Sequence, residues 1–583
     1  MLRTKYFIFT FLVIGSFLSC KNNPVNTEST IHIRLKKDPD RLNPLIFPNP
    51  VAREVYQYIH ASPADYDPVS LQLEPVLITK MPVEMTIDTG MYAGGIAFEI
   101  EFKKEARWDD GSPVTAKDYI FTMKAINLPL TDAGNYRSFT ENISDIIPDP
   151  DNERKCTVIF DREYMLALET VVNIELYPQY FYDSLNVLGA YAFRYFTREN
   201  ADEVKNDKVL QAFAEAFNSG TYSRDKISGA GPYKFISWTA DQHIVLEKKA
   251  DYWAKNTGTA SLKQGPDKMI FHIIPDEVTA IAQLRLGNID VINEISSQAY
   301  SELEQDNTIK DKFSFFHPAL IKQYYILMNN EDPILRDVNV RKALAHLVDV
   351  GSIIRNFEQG KAVRSVGPVH PLKKTFNTEL KHIAFDIDTA KALLALSGWT
   401  DSDQDGILDK TERGKTTNLR IEILITGQEL GKNIALLLQE NGRKAGIDIK
   451  ITEKDMKLIR AEHVKTRKFQ LIPSILSQDL QMWDDMSKWH TANNTPDGNN
   501  ETAYGNQEVN ALIDRISTVK DEQERIGIYK NIQRHIYDDQ ACIFLYAPEE
   551  RIIISNSWKA TATVKRPGYL ANTFEYAGAT VAK

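Results

Sequence analysis

The sequence predicts an α/β fold with mixed sheets, and three features of the chain predict it. A strand, a helix and a second strand follow one another between residues 419 and 454, and again between residues 269 and 295. Strands that a helix joins in this way run parallel. The first half of the chain instead carries short alternating segments beside glycine and proline, which are typical of antiparallel strands.

The strands of the first half are identified by apolar residues at every second position. The segments IHIRLKK (31–37), GIAFEIEFKK (95–104) and CTVIFDR (156–162) have this period, which is that of a half-buried strand. Residues 228–238 include a Gly-Pro turn, and with residues 243–249 they are predicted to form two further strands.

In the second half, helical periods alternate with strands. Helices are predicted over residues 276–287, 337–357, 429–446 and 521–540. Strands are predicted over residues 269–275, 289–295, 419–425, 447–454 and 542–548. The first helix ends at Gly287 and the third at Gly446, and glycine is the residue that most often closes a helix. We expect the lobes to share strands from different parts of the chain, so that they do not follow one another as separate units.

The composition is that of a soluble globular protein. The chain has 583 residues, of which 43% are hydrophobic and 25% charged, enough to bury a large core. The net charge is −10 and no basic cluster stands out, which argues against nucleic acid as a partner. Beyond Cys20, Cys156 and Cys542 are the other cysteines, and both are predicted to be buried thiols in strands.

The amino-terminal segment is similar to a bacterial lipoprotein signal. Arg3 and Lys5 precede an uncharged, mostly apolar run over residues 6–18, and Ser19 and Cys20 follow directly. We therefore expect residues 1–19 to be a signal peptide and Cys20 to be acylated, with residues 20–30 as a flexible tether to the membrane. The alternative is an ordinary signal peptide with a chance cysteine.

Motifs of several common catalytic sites are absent from the sequence. None of the eleven histidines lies within four residues of another, and no C-x-x-C, G-x-S-x-G or H-E-x-x-H motif occurs. A P-loop around Gly414-Lys415-Thr416 fails because Asp409 stands where the opening glycine is required. A hydrolase that uses two carboxylates stays possible, but nothing selects the pair.

An acidic loop matches the twelve-residue calcium-binding pattern. The predicted ligands stand at positions 1, 3, 5, 7, 9 and 12 of the loop: Asp401, Asp403, Asp405, Ile407 (through its carbonyl), Asp409 and Glu412. Gly406 occupies the sixth position, where the backbone turns sharply. A helix precedes the loop but a strand follows it, so we expect a structural Ca²⁺ site and not a switch. The alternative is a solvated acidic turn.

Five segments in order resemble the solute-binding proteins of bacterial peptide-type ABC transporters, family 5. The segments are RWDDGSPVTAKDYIFTM (107–123), GAGPYKFISWTADQHIVLEKKADYW (229–253), IIPDEVTAIAQLRLGNIDV (273–291), LMNNEDPILRDVNVRKALAHLVD (327–349) and ETAYGNQEVNALID (501–514). Together they span most of the chain. The resemblance implies a two-lobed periplasmic binding fold of type II-like topology, with an extra domain and a hinged ligand cleft.

The resemblance also implies a division of the chain. The expected parts are an N-terminal lobe over residues 31–270, with an extra β-rich domain over about 60–180, a second α/β lobe over 271–495, and a segment over 496–583 that returns to the first lobe.

In peptide-binding members of this family, an aspartate pairs with the α-amino group of the ligand. The corresponding stretch here favours Asp484, then Asp485, and Asp479 third, with Trp483 and Trp489 as walls of the cleft. A buried ammonium requires such a carboxylate partner. The alternatives are two surface aspartates at a turn and two ordinary core tryptophans.

The function that follows is capture of di- or oligopeptides by a monomeric, membrane-anchored binding protein that delivers them to an ABC permease. The family also includes binders of nickel complexes, haem and sugars. A secreted, calcium-stabilised hydrolase and a surface nutrient-binding module without a permease are the alternatives from other classes.

Overall fold

The structure is a computed structural model that describes residues 29–46, 49–197, 200–478, 480, 483–516 and 518–578. The predicted signal peptide, Cys20 and Asp479 lie outside the described residues. Within the described part, no helix combines the length and apolar character needed to cross a membrane.

The strands are, in chain order, β1 Thr30–Leu35, β2 Ala64–Tyr66, β3 Leu73–Pro75, β4 Glu84–Thr86, β5 Ile96–Glu101, β6 Asp145–Pro148, β7 Lys155–Phe160, β8 Tyr233–Thr239, β9 His243–Lys248, β10 Lys268–Ile273, β11 Val291–Ile292, β12 Phe313–Phe316, β13 Lys322–Met328, β14 Ala362–Arg364, β15 Asp409–Glu412, β16 Lys415–Asn418, β17 Arg420–Ile425, β18 Asp448–Glu453, β19 Leu471–Ser477, β20 Cys542–Pro548, β21 Ile552–Ser555, β22 Trp558–Lys559 and β23 Glu575–Tyr576. The helices are α1 Arg53–Tyr56, α2 Ala116–Asn127, α3 Gly134–Thr140, α4 Ala167–Val172, α5 Gln179–Tyr182, α6 Ala201–Asn206, α7 Lys208–Asn218, α8 Glu277–Leu286, α9 Ser297–Gln305, α10 Val338–His346, α11 Val350–Phe357, α12 Ile387–Leu396, α13 Glu429–Lys444, α14 Met456–Leu458, α15 Gln507–Ile516 and α16 Glu522–Asp538.

The first lobe is built on a seven-stranded mixed sheet with the order β12-β21-β11-β1-β10-β9-β8. Strand β1 runs parallel to β10 and β11, while the outer strands pair antiparallel. Alternate residues of β1 and β10, among them Ile31, Ile33, Met269 and Phe271, are fully buried in one core. The alternation in the sequence therefore marks the face that packs against the rest of the lobe.

The second lobe is built on a six-stranded mixed sheet with the order β14-β20-β13-β19-β17-β18. Strand β17 pairs parallel with β18, and α13 packs on both, which confirms the predicted strand-helix-strand unit. The buried residues Ile434 and Leu438 of α13 share a core with Ile421 and Ile423 of β17. Cys542, at the start of β20, is buried and free, as predicted; Cys156 is likewise buried and free in β7.

An extra domain carries a four-stranded antiparallel sheet with the order β4-β5-β7-β6. Helix α2 packs beside it and begins with a capping box, in which the Thr115 backbone N–H donates to Asp118 Oδ2 at 2.9 Å. Most of the apolar residues of this domain form a separate core.

The boundaries of the lobes differ from those that the sequence predicts. Strands β11 and β12 belong to the first sheet although they lie beyond residue 270, and the chain enters the second lobe at β13. After the crossover through α8, the chain returns to the sheet it left, and β11 pairs parallel with β1. Helices α15 and α16 and strand β20 belong to the second lobe, and only the chain from β21 onward returns to the first.

The long helix predicted over residues 337–357 is divided into α10 and α11. Asp349 stands at the break and caps α11, since its Oδ1 accepts a hydrogen bond from the Ser352 backbone N–H at 2.9 Å. An aspartate inside a helical pattern offers the backbone this alternative partner. The apolar period continues across the break, which is why the sequence predicts a single helix.

Candidate functional site

A cavity of about 370 Å³ lies where the first lobe, the extra domain and the second lobe meet. This volume falls within the range of roughly 300–1,000 Å³ that small-molecule pockets occupy. The first lobe and extra domain contribute Arg53, Tyr56, Tyr66, Tyr136, Phe139, Leu166, Glu169, Thr170, Asn173, Ile174 and Glu175, the second lobe Leu320, Ile321, Lys322, Ser477, Gln478 and Leu480, and the returning chain Val564, Lys565 and Arg566. We call it the interlobe cavity.

The topology of the second lobe explains why the cavity lies at this edge. Strand β13 begins at Lys322 and its antiparallel neighbour β19 ends at Ser477, and these two residues are paired. Strand β19 runs parallel to β17, so Ser477 stands at the carboxyl end of a parallel pair. Crevices outside the carboxyl ends of such strands are the usual ligand sites of α/β sheets.

The cavity wall carries charges of both signs. Lys565 forms an ion pair with Asp65, and Arg566 lies 3.5 Å from Glu294 and 3.8 Å from Glu550. These two cations of the returning chain are therefore compensated by the protein.

The other two cations of the wall, Arg53 and Lys322, form no ion pair with a carboxylate in the described part of the chain. The Lys322 ammonium lies 5.6 Å from the centre of the Tyr324 ring. Of the wall carboxylates, Glu175 accepts a hydrogen bond from the Tyr136 hydroxyl at 3.3 Å.

Burial shifts the titration of several of these groups. It raises the pKa of Glu175, against the opposing effect of Arg53, and it raises the pKa of Glu169, against Arg525. It also lowers the pKa of Lys322, against Glu550. Each charge is therefore held in surroundings less polar than water, where an opposite charge on a ligand has a larger effect.

A second cavity of about 690 Å³ lies beside the interlobe cavity. Its wall includes Tyr324 of β13 and Ile475 of β19, which pair with each other. The pair Lys322 and Ser477 of the interlobe cavity lies two residues away along each strand. The wall also includes Tyr325 and Leu327 of β13 and Ser474 of β19, so residues from both faces of these strands line this cavity. The first turns of α9 and α13 close the far side.

The structure places Asp484 inside the second lobe and not in the wall of the interlobe cavity. Its carboxylate forms an ion pair with Lys373, and both side chains are buried, at 9% and 7% exposure. Its main-chain oxygen accepts a hydrogen bond from the Tyr529 hydroxyl at 2.6 Å. The carboxylate thus has a cationic partner within the protein, and the role of ligand anchor stays a prediction.

Asp485 is exposed and shapes a turn. Its Oδ1 and Oδ2 accept hydrogen bonds from the Ser487 backbone N–H and hydroxyl, both at 2.8 Å. Asp479, the third candidate, lies outside the described residues; its described neighbours Gln478 and Leu480 line the interlobe cavity.

The two candidate tryptophans pack within the second lobe. Trp483 is half-buried, with its ring centre 5.6 Å from that of Tyr529 and 4.8 Å from the Arg525 guanidinium. Trp489 is buried, and its ring lies 6.2 Å from Tyr504. Neither is among the residues that line the interlobe cavity. The role of the two tryptophans as walls of the cleft stays a prediction.

The acidic loop brings together the first three of its predicted ligands. The carboxylates of Asp401, Asp403 and Asp405 are exposed and have oxygens within 4.8 Å of one another. Gly406, with φ at +87°, donates its N–H to Asp401 Oδ2 at 3.1 Å. The Ile407 N–H donates to Asp405 Oδ1 at 2.8 Å. The loop therefore curls around its carboxylates as the pattern predicts.

Asp409 and Glu412 do not join that cluster, so the structure brings together only part of the predicted ligand set. The Asp409 carboxylate is buried and accepts hydrogen bonds from the Ser402 backbone N–H and hydroxyl, at 2.8–2.9 Å. Glu412 lies 2.6 Å from Lys410 in an ion pair. The reason is that the chain enters β15 at Asp409 and pairs with β16, so the extended backbone does not curl back.

Sequence reasoning did not find the charged residues of the cavity wall. Arg53 and Glu175 belong to no motif and are far apart in the chain. Lys322 gave a weak signal, since it is the charged residue that opens the otherwise uncharged strand KQYYILM. What gathers these groups is the meeting of the two lobes.

Comparisons with known proteins place the chain among binding proteins. The family model described as bacterial extracellular solute-binding proteins, family 5, middle part, matches residues 91–510. The oligopeptide-binding protein AppA of Bacillus subtilis is 24% identical over 464 residues, which are 79% of this chain and 77% of AppA.

Two solved structures show the same fold. AppA of Bacillus subtilis in complex with a nonapeptide has a TM-score of 0.66 at 22% identity, covering 94% of this chain and 99% of that chain. NikA from Brucella suis in complex with Fe(III)-EDTA has a TM-score of 0.72 at 17% identity, with the same coverage of 94% and 99%. These likenesses confirm the two-lobed α/β fold of periplasmic binding proteins.

Proposed function

This chain belongs to family 5 of the bacterial extracellular solute-binding proteins, and we propose on that basis that it captures a peptide between its lobes and delivers it to an ABC permease. The observation that carries the proposal is the interlobe cavity, whose wall is drawn from both lobes and carries charges of both signs. A peptide has an ammonium, a carboxylate and a polar backbone, so it offers partners to both kinds of charge. The relative AppA is named for binding oligopeptides.

Binding of a metal complex is the second candidate, because the structurally similar NikA holds Fe(III)-EDTA. The described wall of the interlobe cavity contains no histidine, cysteine or methionine, the side chains that ligate soft and borderline metals. This favours an organic ligand without a metal. Hydrolysis is not proposed, since membership of a binding family and the lack of a selected carboxylate pair both favour capture without chemistry.

Native mass spectrometry of the purified full chain tests the proposal. A peptide ligand predicts a series of bound masses that collapse to the mass of the protein on denaturation, with short peptides identified in the released fraction. Release of a metal chelate or haem, with no peptide bound and none captured from an added peptide mixture, would contradict it.

We also propose that Cys20 anchors the protein to a bacterial membrane through lipid. The support is the sequence alone: a positively charged start is followed by an apolar run that ends just before Ser19 and Cys20. Cys20→Ser is expected to move the protein from the membrane to the soluble fraction, because acyl chains supply the affinity for the bilayer. A wild-type protein that incorporates no fatty-acid analogue would rule the anchor out.

Finally, we propose a structural Ca²⁺ site in the acidic loop, formed by Asp401, Asp403 and Asp405. Carboxylate oxygens are the ligands that Ca²⁺ prefers, and it takes six to eight of them, so backbone oxygens or water are needed to complete the shell.

A further inference from the structure

Arg53 is placed unusually for a charged residue in the wall of the interlobe cavity. It begins α1, directly after the short helical turn Pro50–Ala52 that Asn49 caps. Its neighbours Glu54, Val55 and Tyr56 are buried, whereas the Arg53 side chain is exposed and lines the cavity. The helix is thus held in the core on one side and presents a guanidinium to the cavity on the other.

The protein does not neutralise this guanidinium with a direct contact. Among the described residues, no carboxylate lies within ion-pair distance of Arg53, although Glu175 and Asp65 are near enough to act on it through space. Asp65 already forms an ion pair with Lys565, and Glu175 accepts a hydrogen bond from the Tyr136 hydroxyl. Arg53 therefore keeps its donors available on the cavity side.

The other cations of the wall are less suited to recognising a ligand. Lys565 and Arg566 are engaged by carboxylates of the protein. Lys322 lies beside an aromatic ring, and its ammonium is a point charge that sets no fixed geometry. A guanidinium instead offers parallel N–H groups that match the two oxygens of a carboxylate.

We propose that Arg53 binds a carboxylate of the captured solute and makes the cavity selective for ligands that carry one. The inference rests on the proposed function, and it names the ligand chemistry and the residue that recognises it. Lys322, on the opposing lobe, adds positive potential but is not the selecting group. The carboxylate has two sources in a peptide, the carboxyl terminus and an Asp or Glu side chain.

The test uses four probe peptides that separate these sources: Ala-Ala-Glu-Ala and Ala-Ala-Gln-Ala, each with a free or an amidated carboxyl terminus. Their affinities are measured by isothermal titration calorimetry on the full chain, for wild type, Arg53→Gln, Arg53→Lys and the control Arg443→Gln. Arg443 is an exposed arginine on α13, outside both cavities.

Wild type and Arg443→Gln are expected to bind the peptide with one of the two carboxylates, the terminal or the Glu one, more tightly than the peptide with the matching amide. The difference in affinity should be about tenfold to a hundredfold, the range for a charge-assisted hydrogen bond. Arg53→Gln should lose that preference while its melting temperature stays close to that of wild type, and Arg53→Lys should recover part of it. If Arg53→Gln loses the preference for a free over an amidated carboxyl terminus, Arg53 binds that terminus. If it loses the preference for Glu over Gln, Arg53 binds an acidic side chain.

Three results would overturn the inference. Equal wild-type affinity for all four peptides, or a preference that survives Arg53→Gln, would refute the role of Arg53 and leave peptide capture standing. Failure of wild type to bind any of the four peptides, with none captured from an added peptide mixture, would refute both the inference and the proposed function.

Discussion

At the scale of single residues, Asp484 and Lys373 form a buried ion pair within the second lobe. Both side chains are largely out of water. Removing one partner of such a pair typically costs roughly 3–5 kcal/mol, because the other buried charge loses the counter-charge beside it. We expect Asp484→Ala to lower the free energy of unfolding by about this much, measured by denaturant titration.

The same variant also tests the predicted ligand role of Asp484. If the carboxylate serves the fold, the double variant Asp484→Ala/Lys373→Met should recover much of the lost stability and keep peptide affinity. Loss of affinity with no loss of stability would instead restore Asp484 as the ligand anchor.

Glu54 is a second residue whose burial has a measurable consequence. Burial, reinforced by Glu294, raises the pKa of Glu54 from its ordinary 4.5 to about 8, although Asn293 Nδ2 donates to its Oε2 at 3.1 Å. Between these two pH values the folded protein holds a proton that the unfolded chain releases. Stability from this group is therefore present at low pH and falls as the pH rises from about 4.5 to about 8.

Glu54→Gln is expected to remove this dependence, since the amide keeps the acceptor oxygen and does not titrate. The variant should match wild type at pH 5 and be more stable at pH 8, measured by thermal unfolding at both values. The exposed Glu215→Gln serves as control. A wild-type stability that rises between pH 5 and pH 8, with no gain in the variant, would contradict the assignment.

At the scale of elements, the acidic loop before β15 predicts a response to calcium. Bound Ca²⁺ should raise the melting temperature and a chelator should lower it, because a ligand that binds the folded state stabilises it by mass action. Asp403→Ala should abolish the response. Glu412→Ala should leave it nearly unchanged, because that carboxylate is paired with Lys410. If both variants lose the shift in melting temperature equally, the full twelve-residue ligand set forms in the presence of Ca²⁺.

The elements also differ in whether they could be predicted from the sequence. The unit β17-α13-β18 was predictable because its apolar period, its turn and its partner strand are all local. The placement of β11 and β12 in the first sheet was not, since it depends on pairing with β1 and β21, which lie far away in the chain. The site follows the same rule: the acidic loop is one segment and was found, whereas Arg53, Glu175 and Lys322 meet only when the lobes do.

At the scale of the whole molecule, a second contact between the lobes lies near the interlobe cavity. Met165 of the extra domain packs against the apolar cluster of the second lobe that includes Val509 and Tyr529. Beside it, Glu163 Oε1 lies 2.8 Å from the Lys520 Nζ. The extra domain and the second lobe are therefore in contact here through an apolar side chain and an exposed ion pair, and proteins of this fold class close by hinge motion.

This contact should tune how long a ligand stays bound. Met165→Ser removes apolar contact worth about 1 kcal/mol or more, so we expect ligand dissociation to speed up about tenfold, measured by stopped-flow displacement of a fluorescent peptide. Glu163→Lys should act more weakly, because exposed ion pairs contribute little and salt screens them. Met91→Ser is the matched control, since Met91 lies in the same domain with its side chain in solvent. If Met165→Ser releases the peptide no faster than Met91→Ser, the contact does not hold the cleft closed, and retention depends on the cavity alone.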